Sequence, residues 1–206
     1  MDYLPQEIIE YVIDFIQLDY QTLQNVHEAF PNHKKTKDLF NSVNKYITMF
    51  DTPLVDSDTG ILNLDLMLNT LEYLENNNNI SIQEAKFVDN FIKNHDNNID
   101  SYIRCRRVRG TCTLLMNCFK DYDMMTYLLF LGANPNYTTS KDDYHIPDFV
   151  MMSSYEIDID TQAKIFVLLI DYGFDIYLQN GDTGCSMNSI LQENPELYQK
   201  VLDKLK

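Results

Sequence analysis

Tryptophan is absent from the 206 residues, and only six glycines are present. That leaves little material for glycine-rich turns, and neither GxGxxG nor GxxxxGK[ST] occurs, which excludes the two nucleotide-binding classes built on those loops. Basic residues are scarce as well. Sixteen stand against 31 acidic ones, for a formal charge of −15. Such a chain repels phosphate backbones unless its positive charge is concentrated, so nucleic acid is not expected as a partner. The four cysteines, Cys105, Cys112, Cys118 and Cys185, form no CxxC pair. They read as reduced thiols, in the cytoplasm with the nucleus left open. His27, His33, His95 and His145 stand isolated, so no metal ligand set is expected. GxSxG is missing, and the acidic runs Asp142-Asp143 and Glu156 to Asp160 do not fit an EF-hand loop. No catalytic residue and no cofactor are therefore expected. No apolar run reaches the roughly 18 residues that a membrane span needs, the amino terminus lacks a signal-peptide core, and no prenylation box ends the chain. A soluble, unanchored protein is expected.

What is present is helical periodicity. Pro5 suits a first helical position, and Ile9, Val12, Ile13 and Ile16 recur at i, i+3, i+4 and i+7, which predicts a helix from Pro5 to about Leu18. A short helix follows from Tyr20 to Phe30, broken at Pro31, and another spans Lys37 to Ile47. These make a small three-helix unit over residues 1–50. Pro53 and Gly60 among Asp, Ser and Thr mark a linker over 51–60. Beyond it lie a stripe at Leu64, Met67, Leu68 and Leu71, a capping box at Ser81 to Glu84, and helix pairs. The pairs are Thr113 to Phe119 with Met124 to Leu131, and Ile146 to Ser153 with Thr161 to Tyr172; a last helix carries Leu197, Val201 and Leu205. The fold class is all-α.

Two segments share one pattern: a leucine-rich helix end, a glycine, then an extended turn. Gly132-Ala-Asn-Pro-Asn136 follows Tyr127 to Leu131, and Gly173-Phe-Asp-Ile-Tyr177 follows Val167 to Tyr172. Each glycine stands where a helix end takes a positive φ. With Gly110, Leu114, Leu128, Leu129, Gly132, Ala133 and Asn136 in place, the segment resembles the ankyrin repeat. Cys112, Thr113, Leu115 and Asn117 depart from that family's TPLHxA stretch. The second glycine signature lies 41 residues on, which implies an insertion of about eight residues in Tyr137 to His145 or in Ser154 to Asp160. Asp182 to Met187 looks like the start of a third repeat, and Leu64 to Leu74 with Ile82 to Asn94 like an eroded one whose Phe91-Ile92 stands for the leucine pair. The resemblance implies a degenerate helical solenoid over 61–206 with a C-terminal capping helix.

A second resemblance lies at the other end. Leu4-Pro5-Gln6-Glu7-Ile8-Ile9, followed by Ile13, Leu23, Val26 and Phe30, resembles the F-box. That resemblance implies docking on a Skp1-type ubiquitin-ligase subunit through Leu4, Pro5, Ile8, Ile9 and Ile13. A solenoid also requires an end cap, and residues 1–50 read equally as that cap. Both modules in one chain resemble the F-box and ankyrin proteins of large (giant) DNA viruses and some intracellular bacterial effectors.

All four arginines, Arg104, Arg106, Arg107 and Arg109, fall within six positions just before Gly110. In an ankyrin register they lie on the hairpin between repeats. Guanidiniums there bind a carboxylate-rich or phosphate-bearing partner, or else neutralise the acidic surface of the neighbouring repeat, the segment just before them being strongly acidic. The functional expectation is a non-catalytic adaptor that brings an unknown target protein to a Skp1-cullin-F-box type ligase. The alternative is a plain ankyrin module that sequesters or masks a host protein.

Overall fold

The computed structural model describes residues 20–50 and 64–206. The expected helix from Pro5 to Leu18 and the 51–60 linker lie outside the described residues. The chain divides into two compact units, residues 1–82 and 83–206. The described residues form ten helices and one two-stranded ribbon joined by turns and loops, a mostly helical protein in keeping with the all-α class. Among them, no helix is long and apolar enough to cross a membrane.

In the first unit α1 spans Tyr20–Ala29, α2 Lys34–Phe50 and α3 Leu64–Asn76. Pro31 separates α1 from α2 because it offers no N–H to continue the ladder. The sequence predicts α2 only to Ile47. The structure carries it to Phe50, because Tyr46 and Phe50 are both buried one turn apart and their rings stack with centroids 4.5 Å apart. Leu23 of α1 and Val43 of α2 are buried, His27 stacks on Phe40 at 4.2 Å, and the Tyr20 hydroxyl donates to Asn44 Oδ1 at 2.7 Å. On α3, Met67, Thr70, Leu71 and Tyr73 are buried, and an ion pair from Lys45 to Glu75 joins α2 to α3.

The second unit opens on α4, Ile82–Lys93, whose first residue closes the first unit. The ribbon pairs β1, Ile103–Arg104, with β2, Thr111–Cys112, antiparallel, with Ile103 opposite Cys112. There follow α5 Leu114–Asn117, α6 Tyr122–Phe130, α7 Ile146–Met152, α8 Ile159–Asp171, α9 Met187–Glu193 and α10 Pro195–Lys204. The stretch predicted from Thr113 to Phe119 is a single helical turn. Thr113 caps it, its Oγ1 accepting from Met116 N, and Cys118 N already donates back to Leu114 and Leu115.

Three stretches of this unit share one backbone pattern. Where α4, α6 and α8 end, Asn97, Ala133 and Phe174 each donate their N–H five residues back, to Ile92, Leu128 and Leu169. The residue before each donor has positive φ, 53° at Asp96, 93° at Gly132 and 82° at Gly173, and the first turn differs in that its donor Asn97 is itself at 58°. Next comes the same tight turn, in which a side-chain oxygen of Asn98, Asn134 or Asp175 accepts the N–H two residues on. A loop follows whose first N–H donates to a carbonyl five residues later: Cys105 to Gly110, Thr139 to Tyr144 and Asn180 to Cys185. Each loop then hands over to the next helix.

Successive turns are bonded to one another. Asp100 Oδ1 accepts from Asn134 N at 3.0 Å, and Asn136 Oδ1 accepts from Asp175 N at 2.7 Å while its Nδ2 donates to the Gly173 carbonyl at 3.0 Å. The first turn escapes sequence reading because it carries Asp96 where the other two carry glycine. Asp tolerates positive φ at a cost that glycine avoids. Replacing Asp96 with Gly is therefore expected to stabilise the second unit by about 0.5–1 kcal/mol. An upward shift of the thermal midpoint checks this, and a downward shift counts against the equivalence.

The spacing between caps locates the extra residues. Eight residues separate Thr113 from Asp121 and eight separate Ser186 from Asn194, but thirteen separate His145 from Asp158. Only five extra residues thus fall between α7 and α8, in the second of the two places considered, and α8 is a further four residues longer than α6. The inserted turn is held from below. Ile157 is buried, and the buried Gln162 amide donates to its carbonyl at 2.7 Å.

Candidate partner-binding groove

Leu4, Pro5, Ile8, Ile9 and Ile13 lie outside the described residues. The four arginines lie on the ribbon and its turn. Arg104 is on β1, opposite Thr111, and Arg106, Arg107 and Arg109 follow in the turn that closes at Gly110. Arg104, Arg106 and Arg109 are exposed, and among the described residues none of the three has an ion-pair partner.

Arg107 is different. Its Nη1 donates to Ser153 Oγ at 2.6 Å, its Nη2 meets Glu156 Oε2 at 2.9 Å, and its guanidinium lies 5.0 Å from the centre of the Phe119 ring. Cation–π contact and a charge-assisted bond hold it in one place. Of the two readings for these charges, Arg107 follows the second, neutralisation within the chain, although the preceding acidic segment does not supply the carboxylate. Its carboxylate partner is Glu156, on the inserted turn after α7, well outside residues 51–103.

Beside Arg107 runs a groove of about 370 Å³. Arg106, Arg107, Asn117, Cys118, Lys120 and Asp121 line it, over a floor of Met116, Phe119 and Phe149. The one-turn helix α5 shapes it. α5 stops at Asn117, residues 118–121 line the groove together with the ribbon turn, and Asn117 Oδ1 accepts from the Arg106 N–H at 3.4 Å. That bond uses the oxygen of the Asn117 amide. Its Nδ2 is buried and has no hydrogen-bond partner among the described residues. Lys120 also pairs with Glu156, so one carboxylate serves two cations.

Two thiols nearby are held toward their protonated form. Burial first, and then the Asp121 charge, pushes Cys118 up to about 11 against a smaller opposing pull from Arg106. Burial first, and then its contact with Cys105, drives Cys112 further in the same direction. Both remain protonated at neutral pH, when the thiolate is the reactive form. Asp121 is committed as well, its Oδ1 capping α6 through Met124 N at 3.0 Å. Among the described residues no group of three or more His, Cys, Asp or Glu side chains is placed to hold a metal ion.

A larger groove of about 460 Å³ lies between α7, α8 and the α9–α10 junction. Asp158, Glu193 and Glu196 edge it, and Asp158 is held below the usual carboxylate range by hydrogen bonds from Thr161.

Sequence reasoning reached the arginines and missed the rest of the first groove. Asn117, Phe119 and Lys120 lie close by in sequence, but no motif marks them, and Glu156 comes from 49 residues beyond Arg107. No protein-family model, no curated protein and no solved structure matches the chain.

Proposed function

We propose that this protein is a non-catalytic interaction protein, an adaptor. In this reading an ankyrin-type stack over 61–206 holds a target, and the F-box-like segment in residues 1–50 engages a Skp1-type ligase subunit. The observation that carries the stack is the threefold turn. Helix end, positive φ, side-chain-capped turn and loop recur in one order at Asp96, Gly132 and Gly173, and each turn bonds the next. Units that each bond only the next unit in sequence are what a solenoid is built from. The motif Leu4-Pro5-Gln6-Glu7-Ile8-Ile9 supports the adaptor half of the reading. The mechanism is proximity. Tethering a target beside a ubiquitin donor raises its effective concentration without chemistry by this chain.

The test is a pull-down of the whole chain with recombinant Skp1, beside a Leu4→Asp/Ile8→Asp/Ile9→Asp variant whose helicity by circular dichroism is unchanged. Capture of the wild type and loss in the variant supports the adaptor. A folded wild type that does not bind leaves residues 1–50 as a solenoid cap and the protein as a plain ankyrin-type module that sequesters its partner.

A further inference from the structure

We infer that the groove between the ribbon turn and residues 116–121 is a receptor for an acidic peptide segment of a partner protein, and that Glu156, paired with two of its lining cations, is an internal stand-in for it. The inference deepens the interaction-protein reading and rests on it.

The charge distribution supplies the first argument. The chain carries −15 overall, yet residues 104–120 contain Arg104, Arg106, Arg107, Arg109 and Lys120 and no acid. An acidic segment approaching from solution is repelled by most of the surface and attracted here. Phosphate backbones of nucleic acid would feel the same local attraction, but they extend far beyond a groove of about 370 Å³ into the repelling surroundings. A short peptide does not.

The second argument is that two of the lining cations already hold a carboxylate. Glu156 meets Arg107 Nη2 at 2.9 Å and pairs with Lys120, and the three side chains remain 31%, 27% and 40% exposed. It arrives on the five residues that lengthen the α7–α8 connection relative to its two counterparts. Ile157 and Gln162 pin that turn at its base, so the carboxylate is presented at a set place. Exposed pairs of this kind contribute little net stability and exchange readily for another carboxylate.

The third argument is unused donor capacity. Glu156 leaves Arg106 without an ion-pair partner among the described residues, and the buried Asn117 Nδ2 donates to nothing there. Arg106 and Asn117 are already joined through the arginine's backbone N–H, and both line the groove. A carboxylate laid there accepts from Arg106 and from the Asn117 amide, and the next one along the peptide competes with Glu156 for Lys120 and Arg107.

The experiment is fluorescence anisotropy with a short fluorescein-labelled peptide rich in glutamate, titrated with the full chain at low ionic strength. Glu156→Gln removes the internal competitor and is expected to tighten binding several-fold. Arg106→Ala/Lys120→Ala is expected to weaken binding by about tenfold or more, the loss of one or two charge-assisted bonds. Asn117→Leu is expected to weaken it by a smaller factor, and Arg104→Ala, which adds to the local charge but does not line the groove, to weaken it less than Arg106→Ala/Lys120→Ala. Arg107 is left intact because it also bonds Ser153. Circular dichroism and the thermal midpoint of each variant check the fold.

No binding by folded wild type overturns the inference. So does equal binding by wild type, Glu156→Gln and Arg106→Ala/Lys120→Ala. If inorganic phosphate or a single-stranded oligonucleotide displaces the peptide at matched charge concentration, the patch takes anions in general and the peptide assignment falls. The Arg106→Ala/Lys120→Ala variant is also taken through the Skp1 pull-down. There the adaptor reading expects unchanged capture, so failure of the groove and failure of the adaptor give different results.

Discussion

Replacing Phe149 with alanine is expected to destabilise the second unit by about 3–5 kcal/mol, the range for emptying a fully buried aromatic site. Phe149 on α7 is only 1% exposed, and it touches both sides of its surroundings. Its ring lies 5.7 Å from that of Phe119, which carries Arg107 and Lys120 on its own face, and 6.4 Å from Tyr144. Truncation removes the apolar surface and leaves a void beneath the groove that neighbours of fixed backbone fill only in part. Chemical denaturation of the full chain reads the effect as a lower midpoint for the transition of this unit. Phe149→Leu, which keeps much of the volume, is expected to lose less than half as much. Equal losses would mean that ring packing matters less than chain burial at this site.

The second large effect is expected at Asn136. Its side chain donates to the Gly173 carbonyl and accepts from the Asp175 N–H, so a single residue closes two bonds between consecutive turns. Asn136→Ala is expected to cost about 1–2 kcal/mol, because both backbone groups then turn to water for partners. Asn136→Asp separates the two bonds. It keeps the acceptor, loses the donor and sets a negative charge against the Gly173 carbonyl, so its loss is expected to match or exceed that of alanine. A double variant, Asp100→Ala/Asn136→Ala, removes both links of the ladder, and losses that add show that the links act independently. If the single variants match wild type in thermal midpoint, the ladder is only an accompaniment to apolar packing.

The sequence by itself determined the helical class and the glycine-marked ends of α6 and α8. The period of the apolar residues is set by helix geometry and survives without neighbours, and glycine marks positive φ because no other residue takes it without cost. Gly132 and Gly173 were legible on that account, and so was the run of arginines. Asp96, at φ 53°, was not, because an aspartate in that conformation is held by its surroundings and announces nothing in sequence. The reach of α2 to Phe50 came from the burial of Tyr46 and Phe50, and the shortness of α5 from a turn whose hydrogen bonds tighten at Cys118. Tertiary structure alone decided the groove. Arg107 and Glu156 are 49 residues apart, and the chain brings them together only because five extra residues lift the α7–α8 turn toward the ribbon. Ion pairs of that separation leave no period and no motif, since charge acts through space and the path of the chain sets the distance.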